Sequence, residues 1–145
     1  IVESVRIVHA RIILHQPLRD LKEPFRHAAA CGHLEIAQFL ISGGAQIISS
    51  GDSPAQHLSL LNLVSRGGHL RTVQWLVEND VDVEEASYGN ETGLIAAAAN
   101  GRSYVVKYLI ALGANTKKKT WTGIGVRSGV AFTRNLLLLQ YLVEQ

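Results

Sequence analysis

Several features that mark other protein classes are scarce in this chain. A single cysteine, Cys31, excludes an internal disulfide and with it a disulfide-stapled secreted scaffold. The longest unbroken apolar run, Leu94 to Ala99, has six residues, whereas a helix that crosses a bilayer needs about 20. Glu3, Arg6 and Arg11 interrupt any signal-peptide core. These absences predict a soluble, intracellular protein, cytoplasmic or nuclear, with no membrane partner.

Charge of either sign is not in excess. The 145 residues contain 14 Lys and Arg against 12 Asp and Glu, which gives a formal net charge of +2. This excess is too small to indicate nucleic-acid binding by itself. With 47% apolar residues, the chain is too hydrophobic to be disordered and suits one domain. Methionine is absent, so we expect a processed chain or a piece of a longer one.

One pattern occurs three times along the chain. It reads CGHLEIAQFL at 31–40, GGHLRTVQWL at 67–76 and NGRSYVVKYL at 100–109. The glycines of the three copies, Gly32, Gly68 and Gly101, are spaced by 36 and 33 residues, and a fainter copy covers 134–142. Self-similarity at such a period predicts a stack of repeated units.

Within each copy the apolar residues follow the period of an α-helix. They fall at i, i+3 and i+4, which predicts one buried face. Its members are Ile36, Phe39, Leu40, Thr72, Trp75, Leu76, Val105, Tyr108 and Leu109. A shorter helical segment precedes each glycine, at Pro24–Ala30, Leu60–Arg66 and Gly93–Ala99, and the glycine suits a turn with positive φ. Only stacked copies can bury such faces, so the pattern predicts an all-α solenoid.

These copies resemble the ankyrin repeat family, which has a period of about 33 residues and a Thr-Pro-Leu-His-x-Ala signature. The signature matches only in part, as in Thr92-Gly93-Leu94-Ile95-Ala96-Ala97. The later part matches better, with Gly-His-Leu-Glu at 32–35, Gly-His-Leu at 68–70 and Leu-Gly-Ala-Asn at 112–115. The resemblance covers about residues 23–145. It implies a helix-turn-helix stack with projecting loops that binds another protein and has no catalytic activity.

On this resemblance, residues 1–145 form a single ankyrin-repeat domain. The predicted parts are an N-terminal capping helix at 1–22, repeats at 23–52, 53–88 and 89–121, and a partial or capping repeat at 122–145. Ser53-Pro54-Ala55-Gln56 is typical of a helix start. In the last copy Arg127 stands where the family has Leu, and Gly129 lies mid-helix, at a cost of about 1 kcal/mol relative to Ala.

Histidines and the cysteine raise the question of a metal or catalytic site. His27 and Cys31 lie four residues apart on one short helix, which is a ligand spacing, but two ligands do not make a site. Cys31 also has no identifiable base or oxyanion hole. We therefore predict no enzyme activity, no metal and no cofactor. His33 and His69 occupy equivalent positions and are interpreted as structural, with rings that hydrogen-bond the backbone between repeats.

Two neighbouring loops carry opposite charges. The acidic loop contains Asp80, Asp82, Glu84, Glu85 and Glu91, and the basic loop contains Lys117, Lys118 and Lys119. The repeat register aligns Glu84 with Lys117 and Glu85 with Lys118, and leaves Lys119 free. Since equivalent residues lie side by side in a solenoid, the charges either pair across the loops, at about 0–1 kcal/mol each, or contact a partner.

Tyr88 and Trp121 are aligned by the same register. Aromatic side chains are enriched among interface hot spots, and the resemblance implies that this part of the loop contacts partners. Two interpretations stay open for the rings: they contact a partner, or they pack against the base of the next repeat.

Carried over by position, the concave face of the family presents His27, Cys31, Arg66, Asn100, Ala96 and Ala99. We predict that a partner protein, whose identity the sequence does not give, binds the loop tips and this face. The alternative is a structural segment of a longer array, or a scaffold that self-associates through Leu137 and Leu139. A less favoured hypothesis is nucleic-acid binding, with Lys117–Lys119 on phosphates and Trp121 stacked on a base.

Overall fold

The computed structural model describes residues 21–47 and 58–145, which form eight α-helices. The helices are α1 (Lys22–Ala30), α2 (Leu34–Ser42), α3 (Leu60–Gly67), α4 (Leu70–Glu78), α5 (Gly93–Ala99), α6 (Ser103–Ala111), α7 (Val126–Phe132) and α8 (Leu136–Glu144). Successive pairs are units 1 to 4, each with an inner helix followed by an outer helix. The predicted capping helix lies almost wholly outside the described residues, and the helix start at 53–56 lies entirely outside them.

A glycine in the left-handed region joins the two helices of units 1 to 3. The φ angles are 76° at Gly32, 79° at Gly68 and 69° at Gly101, which confirms the predicted turn. Space demands glycine as well, because a Cβ at Gly32 would overlap the ring of His69 in the next unit. Unit 4 has Arg134 at this position with φ 54°, a region that residues with a side chain rarely adopt.

The inner helices of neighbouring units pack on one another, α3 on α5 and α5 on α7. From α5, Ala96, Ala97 and Ala98 are fully buried in these contacts. Because alanine is small, the helices on either side can approach closely. The core therefore runs along the stack as a continuous layer, as expected for a solenoid.

The outer-helix face is buried less completely than its period predicts. Its last position is buried in each of units 1 to 3, by Leu40, Leu76 and Leu109. The prediction for Phe39 is wrong, since its side chain is exposed. Trp75 is half-buried and meets Phe25 edge-on, with ring centroids 6.3 Å apart. Each aromatic residue lies about 100° around the helix from the leucine that follows it, and so sits at the edge of the buried stripe.

The inner helices begin with caps that differ between units. The side chains of Ser59 and Thr92 accept hydrogen bonds from the backbone N–H three residues on, at 3.1 and 3.4 Å. Unit 4 has Gly125 at this position. There the Ser128 hydroxyl accepts from the backbone N–H of Gly125 at 2.9 Å and donates to its carbonyl oxygen at 3.0 Å.

Gly129 has a packing reason that the sequence does not show. It is buried, and a Cβ at this position would lie 3.0 Å from the backbone nitrogen of Ala99 and 3.3 Å from the carbonyl carbon of Ala98. Glycine therefore lets α7 approach the end of α5. Arg127, on the same helix, is exposed.

The loops that follow α4 and α6 contain short β-hairpins. In the second loop (79–92), Ala86–Ser87 pairs with Glu91–Thr92 in antiparallel fashion. In the third loop (112–125), Lys119 pairs with Gly125 in an isolated bridge, 33 residues after the equivalent pair. Among the described residues, every helix is too short or too polar to cross a lipid bilayer.

Candidate functional site

The second and third loops are hydrogen-bonded to each other at their tips. Trp121 N donates to the carbonyl oxygen of Gly89 at 2.9 Å, and Asn90 Nδ2 donates to the carbonyl oxygen of Lys119 at 2.8 Å. Gly89 and Asn90 have φ angles of 82° and 64°, so that the hairpin of the second loop reverses within three residues. The two tips therefore form one surface.

The opposite charges of the two loops do pair, but one residue away from the predicted register. Lys118 Nζ lies 2.9 Å from Glu84 Oε2 and also donates to the Glu84 carbonyl oxygen at 3.1 Å. The other carboxylate oxygen of Glu84 accepts from Asn115 N at 2.7 Å. This bond holds Glu84 against the start of the third loop, where Lys118 reaches it. The prediction that Glu84 pairs with Lys117 and Glu85 with Lys118 is wrong.

The remaining lysines of the basic loop point to solvent. Lys117 and Lys119 are exposed, and neither forms an ion pair with a described residue. Lys118 is half-buried by its pairing, and Glu85 is half-buried in the second loop. The lysine triplet thus presents two cations to solvent rather than three.

Tyr88 and Trp121 pack on each other at the tip. Their ring centroids are 5.1 Å apart and their planes meet at 71°, an edge-to-face arrangement. Such pairs contribute about 0.5–1.5 kcal/mol beyond the area that they bury. Tyr88 is nevertheless 72% exposed and Trp121 71% exposed. The interpretation that the rings pack against the base of the next repeat is therefore wrong.

Arg66 on the inner helix of unit 2 is held by the second loop. Its Nη2 atom lies 2.7 Å from Glu91 Oε2, and Asn62 Nδ2 donates to the same oxygen at 3.0 Å. Sequence reasoning placed Glu91 among the loop charges and missed this contact. In unit 1 the equivalent backbone oxygen, that of Leu58, accepts from Arg26 Nη2 at 2.7 Å, as the Glu91 carbonyl oxygen accepts from Asn62 Nδ2 at 3.2 Å.

The other candidate residues of the concave face are not equally accessible. His27 and Cys31 are exposed, and the His27 Nε2 to Cys31 Sγ distance is 3.8 Å. Asn100 is exposed, and its Nδ2 donates to the Ala96 carbonyl oxygen at 2.8 Å. The prediction for Ala96 is wrong, because its side chain is fully buried, whereas Ala99 is half-buried.

Within the described ranges, no three His, Cys, Asp or Glu side chains are grouped to hold a metal ion. The histidines were predicted to hydrogen-bond the backbone of a neighbouring repeat. In unit 3, Arg102 stands at the position equivalent to His69 and makes such a bond. Arg102 Nε donates to the Arg66 carbonyl oxygen at 3.0 Å. The His69 ring instead lies against Gly32 and Gly67.

The last helix exposes a different leucine pair from the predicted one. Leu137 is 79% exposed, but Leu139 is half-buried and packs on the core. Leu136, beside Leu137, is exposed. Unit 3 shows the same difference, because Val106, equivalent to Leu139, is buried and Tyr104, equivalent to Leu137, is 79% exposed.

Known proteins resemble part of the chain. A family model of ankyrin repeats matches residues 25–120 in three copies. A mouse protein named fem-1 homolog A-like is 33% identical over 98 residues, which are 63% of this chain and 14% of that protein. The chain thus spans a small part of that relative. The family model, in contrast, covers well over half of the chain. The chain belongs to the ankyrin repeat family.

Proposed function

We propose that the chain is a non-catalytic module that binds another protein through the tips of its second and third loops, with the concave face as a second contact. Ankyrin repeats are in general protein–protein interaction modules, which supports this class of function. The observation that carries the proposal is the Tyr88–Trp121 pair, whose rings stay more than two-thirds exposed. Tyr and Trp side chains are enriched among the hot spots of protein interfaces.

The tip is already ordered before a partner arrives. Trp121 and Asn90 tie the two backbones together, and Lys118 is held by Glu84. Each flexible side chain that binding immobilises costs about 0.5–1.5 kcal/mol. Since these groups are held within the free protein, that cost is reduced and more of the contact energy appears as affinity.

The concave face supports binding with oriented polar groups. Arg66 is exposed although Glu91 holds one of its nitrogens, and a guanidinium has five N–H donors. Asn100 is fixed through Ala96 and also faces solvent. His27 adds an exposed ring on the inner helix of unit 1. These groups suit a partner that reaches from the loop tips toward the inner helices.

Substitution of the two rings tests the proposal. Trp121→Ala and Tyr88→Ala should each weaken capture of the partner from lysate of the native source by at least about thirtyfold, because hot-spot truncations cost about 2 kcal/mol or more. The melting temperature should change little, since both rings are exposed. Phe39→Ala, which removes an exposed aromatic side chain from the outer helix of unit 1, is the matched control and should retain the same partner.

The comparison should use quantitative mass spectrometry of proteins captured by equal amounts of folded wild type and variants. If Trp121→Ala and Tyr88→Ala unfold the protein while binding per folded molecule is unaltered, the rings are structural. If the folded variants retain every partner that the wild type captures, the loop tip is not the interface.

An open side of unit 4 favours a second candidate, a segment of a longer array or a self-associating scaffold. Val143 is 68% exposed, whereas the equivalent Ile110 is half-buried. Ala131 is exposed, whereas the equivalent Ala98 is fully buried. Sedimentation equilibrium over a wide concentration range tests self-association, which Val143→Lys should abolish. A wild type that stays monomeric at every concentration would argue against the scaffold form.

Nucleic-acid binding is the least supported function. Lys118 is engaged by Glu84, so the basic loop offers two exposed cations beside acidic neighbours, which is a poor track for a phosphate backbone. Oligonucleotide binding that falls steeply with salt would reverse this judgement. We also propose an intracellular location, supported by the free, exposed thiol of Cys31.

A further inference from the structure

The outer faces of the four units differ in chemistry although their backbones are equivalent. The third residue after the turn position is Glu35 in unit 1, Arg71 in unit 2, Tyr104 in unit 3 and Leu137 in unit 4, and all four are exposed. This outer row is thus charged along the first two units and apolar along the last two. Exposed apolar side chains that lie together, as in units 3 and 4, are typical of an interaction surface.

The apolar half of the row forms part of a joined surface. We call Tyr104, Leu136 and Leu137 the outer patch; all three are exposed. The first turns of their helices adjoin, because Asn135 Nδ2 donates to Ser103 Oγ at 2.8 Å. The patch therefore continues across two units.

A groove lies beside Tyr104, between the turn of unit 2 and the first turn of the outer helix of unit 3. It has a volume of about 250 Å³ and is lined by Gly68 and by residues 101–105. The side chain of Arg102 lies against Gly68 and forms one wall of the groove. The groove can receive one apolar side chain of a molecule that rests on the patch.

The surroundings of the outer patch are positively charged. Residues 100–111 and 133–145 contain Arg102, Lys107 and Arg134 but only one carboxylate, Glu144, in the last turn of α8. Arg102 is oriented by its bond to the Arg66 carbonyl oxygen at 3.0 Å. Lys107 Nζ is held 5.3 Å from the centroid of the Tyr141 ring. An occupant of the patch therefore meets fixed cations.

Two possible occupants fit poorly. A following repeat would leave the row open, because Arg71 and Tyr104 are exposed although further units follow them. A second copy of the chain would bring the same cations, such as Arg102 and Arg134, against each other. Like charges placed together across an interface oppose association.

We propose that the outer patch binds an acidic, amphipathic segment of a partner protein. Such a segment places apolar side chains at i, i+3 or i+4 and i+7 on Tyr104, Leu136 and Leu137, and its carboxylates face Arg102 and Arg134. An anionic membrane shares the charge, but stable attachment there takes a larger apolar area or a longer basic run. Cations held in place, as Arg102 is, suit the directional carboxylates of a protein. The proposal does not depend on the loop tips.

Two synthetic amphipathic peptides test the proposal. One carries glutamates beside leucines at i, i+3, i+4 and i+7, and the other replaces each glutamate by lysine. The ¹⁵N-labelled wild-type protein should show saturable shifts at residues 102–107 and 134–141 with the acidic peptide, at a Kd below about 1 mM. The basic peptide should cause none. Equal binding of both peptides, or shifts confined to the loop tips, would overturn the proposal.

Variants locate the contact. Leu137→Ser should weaken the acidic peptide about tenfold, and Arg134→Asn about threefold with a smaller salt dependence, since both residues are exposed and the fold is retained. Arg71→Ser, at the same row in unit 2, and Trp121→Ala should leave the affinity unchanged. The proposal is overturned if phosphatidylserine vesicles bind more tightly than the peptide, if peptide-free protein dimerises through the patch, or if folded Leu137→Ser binds like wild type.

Discussion

Unit 3 begins its inner helix with Thr92, whose hydroxyl accepts a hydrogen bond from the backbone three residues on, whereas unit 4 begins with Gly125 and takes its cap from Ser128 inside the helix. The contrast continues in the packing. Leu94 of unit 3 is buried between neighbours, and its equivalent in unit 4, Arg127, is exposed. The same backbone plan is therefore kept by different side chains.

The comparison shows that the contribution of a residue to stability depends on how many neighbouring units pack against its own unit. Unit 3 is covered on both sides, so its apolar positions are fixed by packing. Unit 4 packs on α5 with one side only, where Gly129 lies against the backbone of Ala98 and Ala99. On its open side charge is tolerated. Substitutions that move residues between the units test this account.

The largest effect on stability is expected when the residues at the equivalent positions 94 and 127 are exchanged. Leu94→Arg places an unpaired charge in the layer between α3 and α7 and should lower the free energy of unfolding by at least about 3–5 kcal/mol. Arg127→Leu, its mirror change on the exposed side, should stay within about 0.5 kcal/mol. Urea denaturation measures both. Equal losses for the two variants would show that unit 4 is as enclosed as unit 3.

A smaller loss is expected where α7 approaches α5. Gly129→Val adds atoms against the backbone of Ala99 and should cost about 2–3 kcal/mol, since overpacking of this kind is destabilising. The matched control is Ala131→Val, on the same helix but exposed, which should cost only a few tenths of a kcal/mol through helix propensity. A stability gain for Gly129→Val would mean that the helices move apart freely.

The smallest effect concerns the two caps. Thr92→Ala and Ser128→Ala each remove a hydroxyl that satisfies a backbone N–H at a helix start, and each should cost about 1 kcal/mol. Thr116→Ala, an exposed threonine of the third loop, is the control and should be neutral. A neutral Ser128→Ala would indicate that water replaces the cap in unit 4 and that the two solutions are not equivalent.

The helices and turns follow from local signals and could be predicted. The segment Gly93–Ala99 was predicted with the bounds it has, and Gly32, Gly68 and Gly101 all adopt the positive φ expected of them. Period and turn chemistry are encoded within a few residues. The exposure of Phe39 was not predicted, because the edge of a buried stripe depends on what the neighbouring unit places there.

The location of the candidate site could be predicted from the sequence, but its individual contacts could not. Repeat register brings Tyr88 beside Trp121, and the two rings do meet. Register does not say how a loop curves, so the pairing of Glu84 with Lys118 was placed one residue away. That choice depends on Asn115, whose backbone N–H takes one oxygen of Glu84. Contacts of this kind need coordinates.

The hydrogen bonds between units have a consequence for how the chain folds. The hydrogen bonds between units that are described above join residues 25 to 36 positions apart. The shortest separation is that of Arg66 and Glu91, and the longest is that of Arg102 and Arg66. The entropy of closing a loop depends on its length, so every junction faces nearly the same closure cost however many units the stack contains. Folding can therefore begin at any well-packed junction, such as that of α3 with α5, and spread in both directions. A longer stack of this kind would have to form more junctions, but each junction would form no more slowly than those of this chain.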